Sequence, residues 1–131
     1  MKNMTNKILL VDDRENTRKT LRDIFETLGY TVVTASTGEE AISIIDKEKP
    51  DLALLDTELN TVVPNGMFGF EVCRQIKQVK KLSTKVIIYT GTFGMVDAIK
   101  AKQMGADDYI IKGEDPALLV KAVENLIGTC L

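Results

Sequence analysis

Short apolar runs alternate with longer amphipathic segments along the whole sequence, and this alternation constrains the fold more than any other feature. The runs are rich in β-branched and aliphatic residues, as strands buried on both faces are. They predict five strands, at residues 7–11, 31–35, 52–55, 85–89 and 108–111. Amphipathic segments follow the strands and predict helices. Strict alternation with right-handed crossovers predicts a doubly wound α/β fold, a parallel sheet with helices on both faces.

Residue types at the helix ends agree with this pattern. Gly29 is placed to end the first helix. Thr37, with Glu40 three residues later, forms a capping-box pattern at the start of the second. Asp115 and Pro116 combine a capping side chain with a proline for the first turn of the last helix. Helical spacing predicts the third helix at Phe70, Cys73, Ile76 and Lys77, and apolar residues predict the fourth at Met95, Val96, Ala98 and Ile99.

Length and charge exclude several classes of protein. A chain of 131 residues is long enough to bury a core, and we expect a single domain over 1–131. The formal net charge of −2, with Lys and Arg scattered, argues against direct nucleic-acid binding. No apolar run is long enough to span a membrane, and the first residues lack the apolar stretch of a signal peptide. We therefore expect a cytoplasmic protein without a membrane partner.

The sequence contains no histidine and two cysteines. The lack of histidine excludes Ser-His and Cys-His nucleophile pairs, the common zinc sites and phosphohistidine chemistry on this chain. If the chain carries a phosphoryl group, a carboxylate must accept it and another molecule must supply it. Cys73 lies in an apolar helical pattern and is predicted to be a core residue, whereas Cys130 is predicted to be an exposed thiol.

Three carboxylates and one lysine directly follow predicted strands. Asp12 and Asp13 follow the first strand, Asp56 follows the third, and Lys112 follows the fifth. Because the carboxyl ends of parallel strands share one edge of a sheet, we expect these side chains to lie together. Carboxylate oxygens are suitable ligands for Mg²⁺ (or Mn²⁺), which readily bridges to phosphate.

This set of side chains indicates phosphoryl transfer. One oxygen of Asp56 can bind the metal while the other attacks phosphorus and forms an acyl phosphate. The reaction needs positive charge on the phosphoryl oxygens, which the metal and Lys112 can supply. Thr90, at the end of the fourth strand, can donate its hydroxyl, and Gly91 leaves room for a phosphodonor. Taken singly, such residues are more often turn residues, helix caps, strand ends or solvated charges than parts of a site.

From Lys7 to about Ile127, the chain resembles the receiver domains of bacterial two-component response regulators. The resemblance rests on five motifs: ILLVDD at 8–13, PDLALLD at 50–56, GFEVCR at 69–74, YTG at 89–91 and GADDYIIK at 105–112. It implies a flavodoxin-like (βα)5 sandwich with strand order 2-1-3-4-5. It also implies that the domain is not a conventional enzyme and only weakly catalyses its own phosphorylation and dephosphorylation.

The resemblance implies that Asp56 is the phosphoacceptor. Asp12 and Asp13 would hold Mg²⁺, with Asp56 and the backbone carbonyl of Glu58 completing the protein ligands. A histidine kinase or a phosphotransfer protein would supply the phosphoryl group.

The resemblance also implies a switch. Thr90 and Lys112 would contact the phosphoryl group, and Tyr109 would turn inward when Thr90 is drawn to it. Without the resemblance, Tyr109 is better interpreted as a strand aromatic that covers the sheet edge. A downstream effector domain or protein would respond to the fourth helix, fifth strand and fifth helix, a face that can also form a dimer.

Three features depart from the family pattern. Gly113 replaces the usual proline after the lysine. The loop 57–69 is longer than usual and separates Leu59 from Pro64, where the family commonly has adjacent Met and Pro. Glu58 places an acid two positions beyond the phosphoacceptor, where it could repel phosphate, recruit metal or orient the hydrolytic water.

Three alternatives remain open at this stage. One is an interaction-only receiver that has lost phosphorylation. Another is an aspartyl-phosphate phosphohydrolase with Asp12 or Asp13 as nucleophile, although Arg14 stands where such enzymes have a second acid. A flavin-binding electron carrier of similar topology is disfavoured, because the acidic stretch 12–15 would repel phosphate.

Overall fold

A computed structural model describes residues 6–57, 69–91, 95–113 and 115–129. Within these ranges, five strands form one parallel sheet. The strands are β1 (Lys7–Val11), β2 (Thr31–Ala35), β3 (Leu52–Leu55), β4 (Lys85–Thr90) and β5 (Asp108–Ile111). The helices are α1 (Glu15–Thr27), α2 (Gly38–Glu48), α3 (Gly69–Arg74), α4 (Met95–Gln103) and α5 (Ala117–Ile127). The strand order β2-β1-β3-β4-β5 confirms the predicted doubly wound flavodoxin-like fold.

Alternate residues of each strand divide the core into two layers. In β1, Leu9 and Val11 pack with α2, α3 and α4, whereas Ile8 and Leu10 pack with α1 and α5. This division follows from the two-residue period of a strand, which points successive side chains to opposite faces. Both layers are completely apolar at β1, which explains why the strand is a continuous hydrophobic run in the sequence.

The register of the sheet brings the strand ends together at one edge. Val11 pairs with Leu55, and Thr90 pairs with Ile111. The ladder continues one residue beyond β3, where the Asp56 N–H donates to the Val11 carbonyl over 3.0 Å. The strand order reverses direction at β1 and β3, the position where doubly wound sheets form their binding crevice.

The capping predictions at Thr37, Gly29 and Asp115 are confirmed, whereas Pro116 lies one residue before the first residue of α5 and not within the helix. The Thr37 hydroxyl accepts a 3.1 Å hydrogen bond from the Glu40 N–H, and the Glu40 carboxylate accepts one of 2.7 Å from the Ser36 N–H. Asp115 accepts a 2.9 Å bond from the N–H of Ala117, the first residue of α5. Gly29, just beyond α1, has a φ of 97°, which a glycine adopts without strain.

Two helices differ from the prediction. The third helix does not stay α-helical, because it continues beyond Arg74 as one π-helical segment, Gln75–Val79. In α4, the predicted apolar residue Ile99 is 50% exposed, and Ala101 takes the buried position. Residues two apart lie on opposite sides of a helix, so both cannot face the sheet.

Cys73 is fully buried, as predicted, whereas Cys130 lies outside the described residues. None of the helices in the described part of the chain has the length and apolar character needed to cross a lipid bilayer.

Candidate functional site

The structure brings the three predicted carboxylates together. One carboxylate oxygen from each of Asp12, Asp13 and Asp56 lies within 4.8 Å of the others. Asp12 and Asp56 are each only 4% exposed, whereas Asp13 is half-buried. Such a concentration of negative charge away from water is unfavourable unless cations balance it.

Lys112 provides one such cation. Its ammonium donates to Asp12 Oδ2 over 2.8 Å and to Asp56 Oδ2 over 2.9 Å. Burial of this side chain favours the neutral amine, but the hydrogen bonds with the two carboxylates outweigh burial and raise the pKa of Lys112. Lys112 is therefore charged throughout the neutral pH range.

Strand alternation explains which side chains meet at this edge. Asp12, Asp56 and Lys112 continue the alternate positions of their strands that face α1 and α5. Tyr89 lies on the same face, and the Lys112 ammonium is 5.6 Å from the centre of its ring. Burial raises the pKa of the Tyr89 hydroxyl, which therefore stays protonated.

A second group of polar residues lies on the opposite face of the same edge. Thr90 is completely buried, and its hydroxyl is 2.9 Å from the hydroxyl of Thr57. Either hydroxyl can be the donor of this hydrogen bond. Tyr109, on the adjacent strand β5, packs against the core layer that α2, α3 and α4 cover. Burial, with the nearby charge of Asp97, raises the pKa of Tyr109.

The loop after β1 fixes the position of Asp12. Its Oδ1 accepts a 2.8 Å hydrogen bond from the Arg14 N–H, and the Arg18 guanidinium donates to its backbone carbonyl over 2.7 Å. Oδ2 is held by Lys112, so both oxygens of Asp12 have defined partners. The sequence analysis did not identify Arg18. Its guanidinium binds a backbone carbonyl, which every residue has, so no pair of residue types in the sequence indicates the contact.

Gly69 lets α3 begin against the backbone of Asp56. A Cβ atom at position 69 would overlap with the Asp56 carbonyl oxygen. The motif at 69–74 was recognised from the sequence, but this close approach was not.

Two departures from the family pattern, at Gly113 and at Glu58, have different outcomes. No cis peptide bond occurs in the described residues, so the Lys112–Gly113 peptide is trans. With this backbone, the Lys112 ammonium contacts the carboxylates of Asp12 and Asp56. Glu58 and most of the loop 57–69 lie outside the described residues.

The donor set fits a divalent cation that prefers oxygen. The three clustered acids offer only carboxylate oxygens, the ligands that Mg²⁺ and Mn²⁺ favour. Asp13, the most exposed of them, is the one that Lys112 does not contact in the ion pairs described above. The acidic pocket therefore meets the chemical requirement for such a cation.

Comparisons with known proteins agree with this geometry. A family model described as the response regulator receiver domain matches residues 8–124. The alkaline phosphatase synthesis transcriptional regulatory protein PhoP of Bacillus subtilis is 40% identical over 113 residues, which cover 86% of this chain and 45% of that protein. The probable transcriptional regulator ycf27 of Porphyra purpurea is 35% identical over 127 residues, which cover 97% of this chain and 49% of that protein. The chain spans about half the length of these curated relatives.

Solved structures share the fold closely. The BeF3-activated N-terminal receiver domain of RstA from Klebsiella pneumoniae superposes with a TM-score of 0.83 at 29% identity, covering 92% of this chain and 97% of that one. The response regulator protein TrrA of Thermotoga maritima, in complex with Mg(2+)-BeF, gives a TM-score of 0.82 at 31% identity, covering 94% and 100%.

Proposed function

The chain belongs to the response regulator receiver domain family of two-component systems, and on that premise we propose that Asp56 accepts the phosphoryl group. The observation that carries this assignment is the position of Asp56, buried beside two further carboxylates and 2.9 Å from the Lys112 ammonium. A carboxylate in this setting can be negatively charged and still receive an anionic group, because cations balance both charges.

We expect the phosphoryl group to come from a phosphohistidine of a histidine kinase or a phosphotransfer protein. An Asp56 oxygen forms the new O–P bond while the P–N bond of the donor breaks, and the electron pair stays on the imidazole nitrogen. Lys112 keeps its proton because its pKa is raised. Its ammonium can follow the negative charge from the carboxylate oxygen to a phosphoryl oxygen.

Asp12, Asp13 and Asp56 would hold Mg²⁺ (or Mn²⁺), and we retain the Glu58 carbonyl as a proposed fourth protein ligand. When bound, the cation supplies positive charge for the phosphoryl oxygens. Arg14 stands two positions after Asp12, where a phosphohydrolase of this kind has its second acid, and this disfavours the phosphohydrolase alternative.

We propose that Thr90 and Tyr109 transmit phosphorylation to the surface. The Thr90 hydroxyl would bond a phosphoryl oxygen, and Tyr109 would turn inward on the same face of the sheet. The result is a shift between two existing conformations, not a new fold.

Exposed apolar side chains support the proposed output face. Ile99 on α4 is 50% exposed, Ile111 on β5 is 37% exposed and Leu118 on α5 is 68% exposed. We propose that this face binds a downstream effector domain or protein, or a second copy of the chain. The named relatives are transcriptional regulators, so an effector that controls transcription is our first expectation. We retain a cytoplasmic location and the lack of conventional enzyme activity as proposals.

The test is phosphorylation by a small acyl phosphate in the presence of Mg²⁺. We expect intact-mass spectrometry to find one phosphate that is labile at alkaline pH, and Asp56→Asn to abolish it. Asp23→Asn, at an exposed acid on α1, is the matched control and should be phosphorylated normally. Full phosphorylation of Asp56→Asn would refute the assignment.

A further inference from the structure

We propose that Thr57 is a positioning residue that holds the Thr90 hydroxyl in its unphosphorylated position. Thr57 directly follows Asp56, and its hydroxyl is 2.9 Å from that of Thr90. The proposal rests on the function assigned to Thr90 above. In it, Thr57 sets how readily the domain takes up the phosphorylated conformation.

The contact follows from strand alternation beyond the ends of β3 and β4. Leu55 and Ile88 are paired across these strands and face the layer of α2, α3 and α4. Thr57 and Thr90 come two residues later on the same face, so their side chains meet across the strand ends. The backbone pairing already holds the two strands together, and the hydroxyl bond is therefore not needed to fix their register.

A threonine hydroxyl has one proton to donate and two lone pairs that can accept. We expect the Thr90 hydroxyl to move out of hydrogen-bond distance of the Thr57 hydroxyl when it turns to bond a phosphoryl oxygen, so that the bond between the two threonines is exchanged for the new one. Because Thr90 is completely buried, the bond with Thr57 stabilises the unphosphorylated position. The Thr57 hydroxyl thus opposes the switch.

Space beside Thr57 permits this exchange. Thr57 borders an open cavity of about 330 Å³ between α3 and α4, whose wall includes Phe70 and Lys100. The Lys100 ammonium, 4.9 Å from the centre of the Phe70 ring, also borders this space. We expect the Thr57 side chain to change rotamer without displacing any of the packed core residues that the structure describes.

The test is the affinity for beryllofluoride, a phosphoryl mimic, titrated in the presence of Mg²⁺ and followed by NMR of the threonine and tyrosine signals. A net neutral hydrogen bond corresponds to a factor of about two to ten in an equilibrium constant. We expect Thr57→Val to bind beryllofluoride about two- to tenfold tighter than the wild type. Thr57→Ala should change the affinity in the same direction, and Thr57→Ser should restore the wild-type value.

A double-mutant cycle separates this role from a general structural one. In the Thr90→Val background, Thr57→Val should leave the beryllofluoride affinity unchanged, because the hydroxyl that it acts through is gone. An equal gain in that background would overturn the proposal, as would unchanged or weaker binding by both Thr57→Val and Thr57→Ala. If the wild-type domain itself does not bind beryllofluoride at Asp56, the proposed function fails first, and the two failures are distinguishable.

Discussion

Replacing Lys112 with methionine should destabilise the domain strongly and should make its stability depend more on Mg²⁺. The substitution keeps most of the side-chain volume but leaves Asp12 and Asp56, each 4% exposed, without their shared ammonium. At an effective dielectric constant of about 20, each contact of this length corresponds to about 6 kcal/mol of attraction before the cost of desolvation. Removing one member of a buried ion pair typically costs about 3–5 kcal/mol. Because Lys112 is 17% exposed, we expect Lys112→Met to lower the free energy of unfolding by about 3 kcal/mol, at the low end of this range.

Lys77→Met is the matched control. Lys77 has the same 17% exposure, but it contacts a single, more accessible carboxylate, Asp107, over 2.7 Å. Its loss should cost about 1 kcal/mol or less.

The assay is urea unfolding followed by circular dichroism, with and without Mg²⁺. A cation that binds only the folded protein adds to the free energy of unfolding. Since the ammonium and the cation compete for oxygens of Asp12 and Asp56, the added stability should be greater for Lys112→Met than for the wild type. The stability added by Mg²⁺ should be the same for Lys77→Met as for the wild type. Equal losses in the two variants, or equal effects of Mg²⁺ on them, would refute the electrostatic role of Lys112.

The difference in stability between the wild type and Lys112→Met should change with pH in a defined direction. Hydrogen bonds with the two acids raise the pKa of Lys112 despite its burial. Its contribution is therefore fully present below the ordinary lysine pKa of about 10.4 and is lost as the pH rises through the raised value. This loss should narrow the stability gap between the wild type and Lys112→Met in the alkaline range. A gap that stays the same as the pH rises through the raised pKa of Lys112 would contradict this reasoning.

Two further substitutions test the local structure. Gly69→Ala should lower the free energy of unfolding by about 1–3 kcal/mol and slow phosphorylation, because the added Cβ displaces the Asp56 backbone. Gly91→Ala, whose Cβ meets no atom of the described residues within 4 Å, should be close to neutral in the same urea assay. Thr37→Ala should cost about 1 kcal/mol through the lost cap of α2, and Thr37→Ser should recover most of it. An unaffected Gly69→Ala, or a Thr37→Ser as unstable as Thr37→Ala, would contradict these assignments.

The sheet could be predicted because its buried strands are short runs of β-branched and aliphatic residues. The predicted bounds of β1, β2, β3 and β5 agree with the structure, and β4 extends one residue further, to Thr90. The gathering of acids at the strand ends followed from parallel topology alone. The exposed position of Ile99 could not be predicted, because the residue pattern of a weakly amphipathic helix does not show which side faces the sheet.

The contacts within the site were harder to predict than the residues that form it. The bond between Thr57 and Thr90 depends on which strands are neighbours and on which face each residue occupies after its strand ends. The overlap that makes glycine necessary at position 69 depends on how close α3 begins to the Asp56 backbone. The π-helical segment Gln75–Val79, which ends with a 2.8 Å bond from the Lys80 N–H to the Gln75 carbonyl, has no residue signature.

The most direct measurement is a crystal structure of the domain with Mg²⁺ and beryllofluoride. We expect beryllium to be bonded to a carboxylate oxygen of Asp56, with the cation held by Asp12 and Asp13 and with Lys112 against a fluorine. Beryllofluoride bound to another side chain, or an Asp56 carboxylate turned away from the cation, would contradict the assignment of Asp56 as the phosphoacceptor.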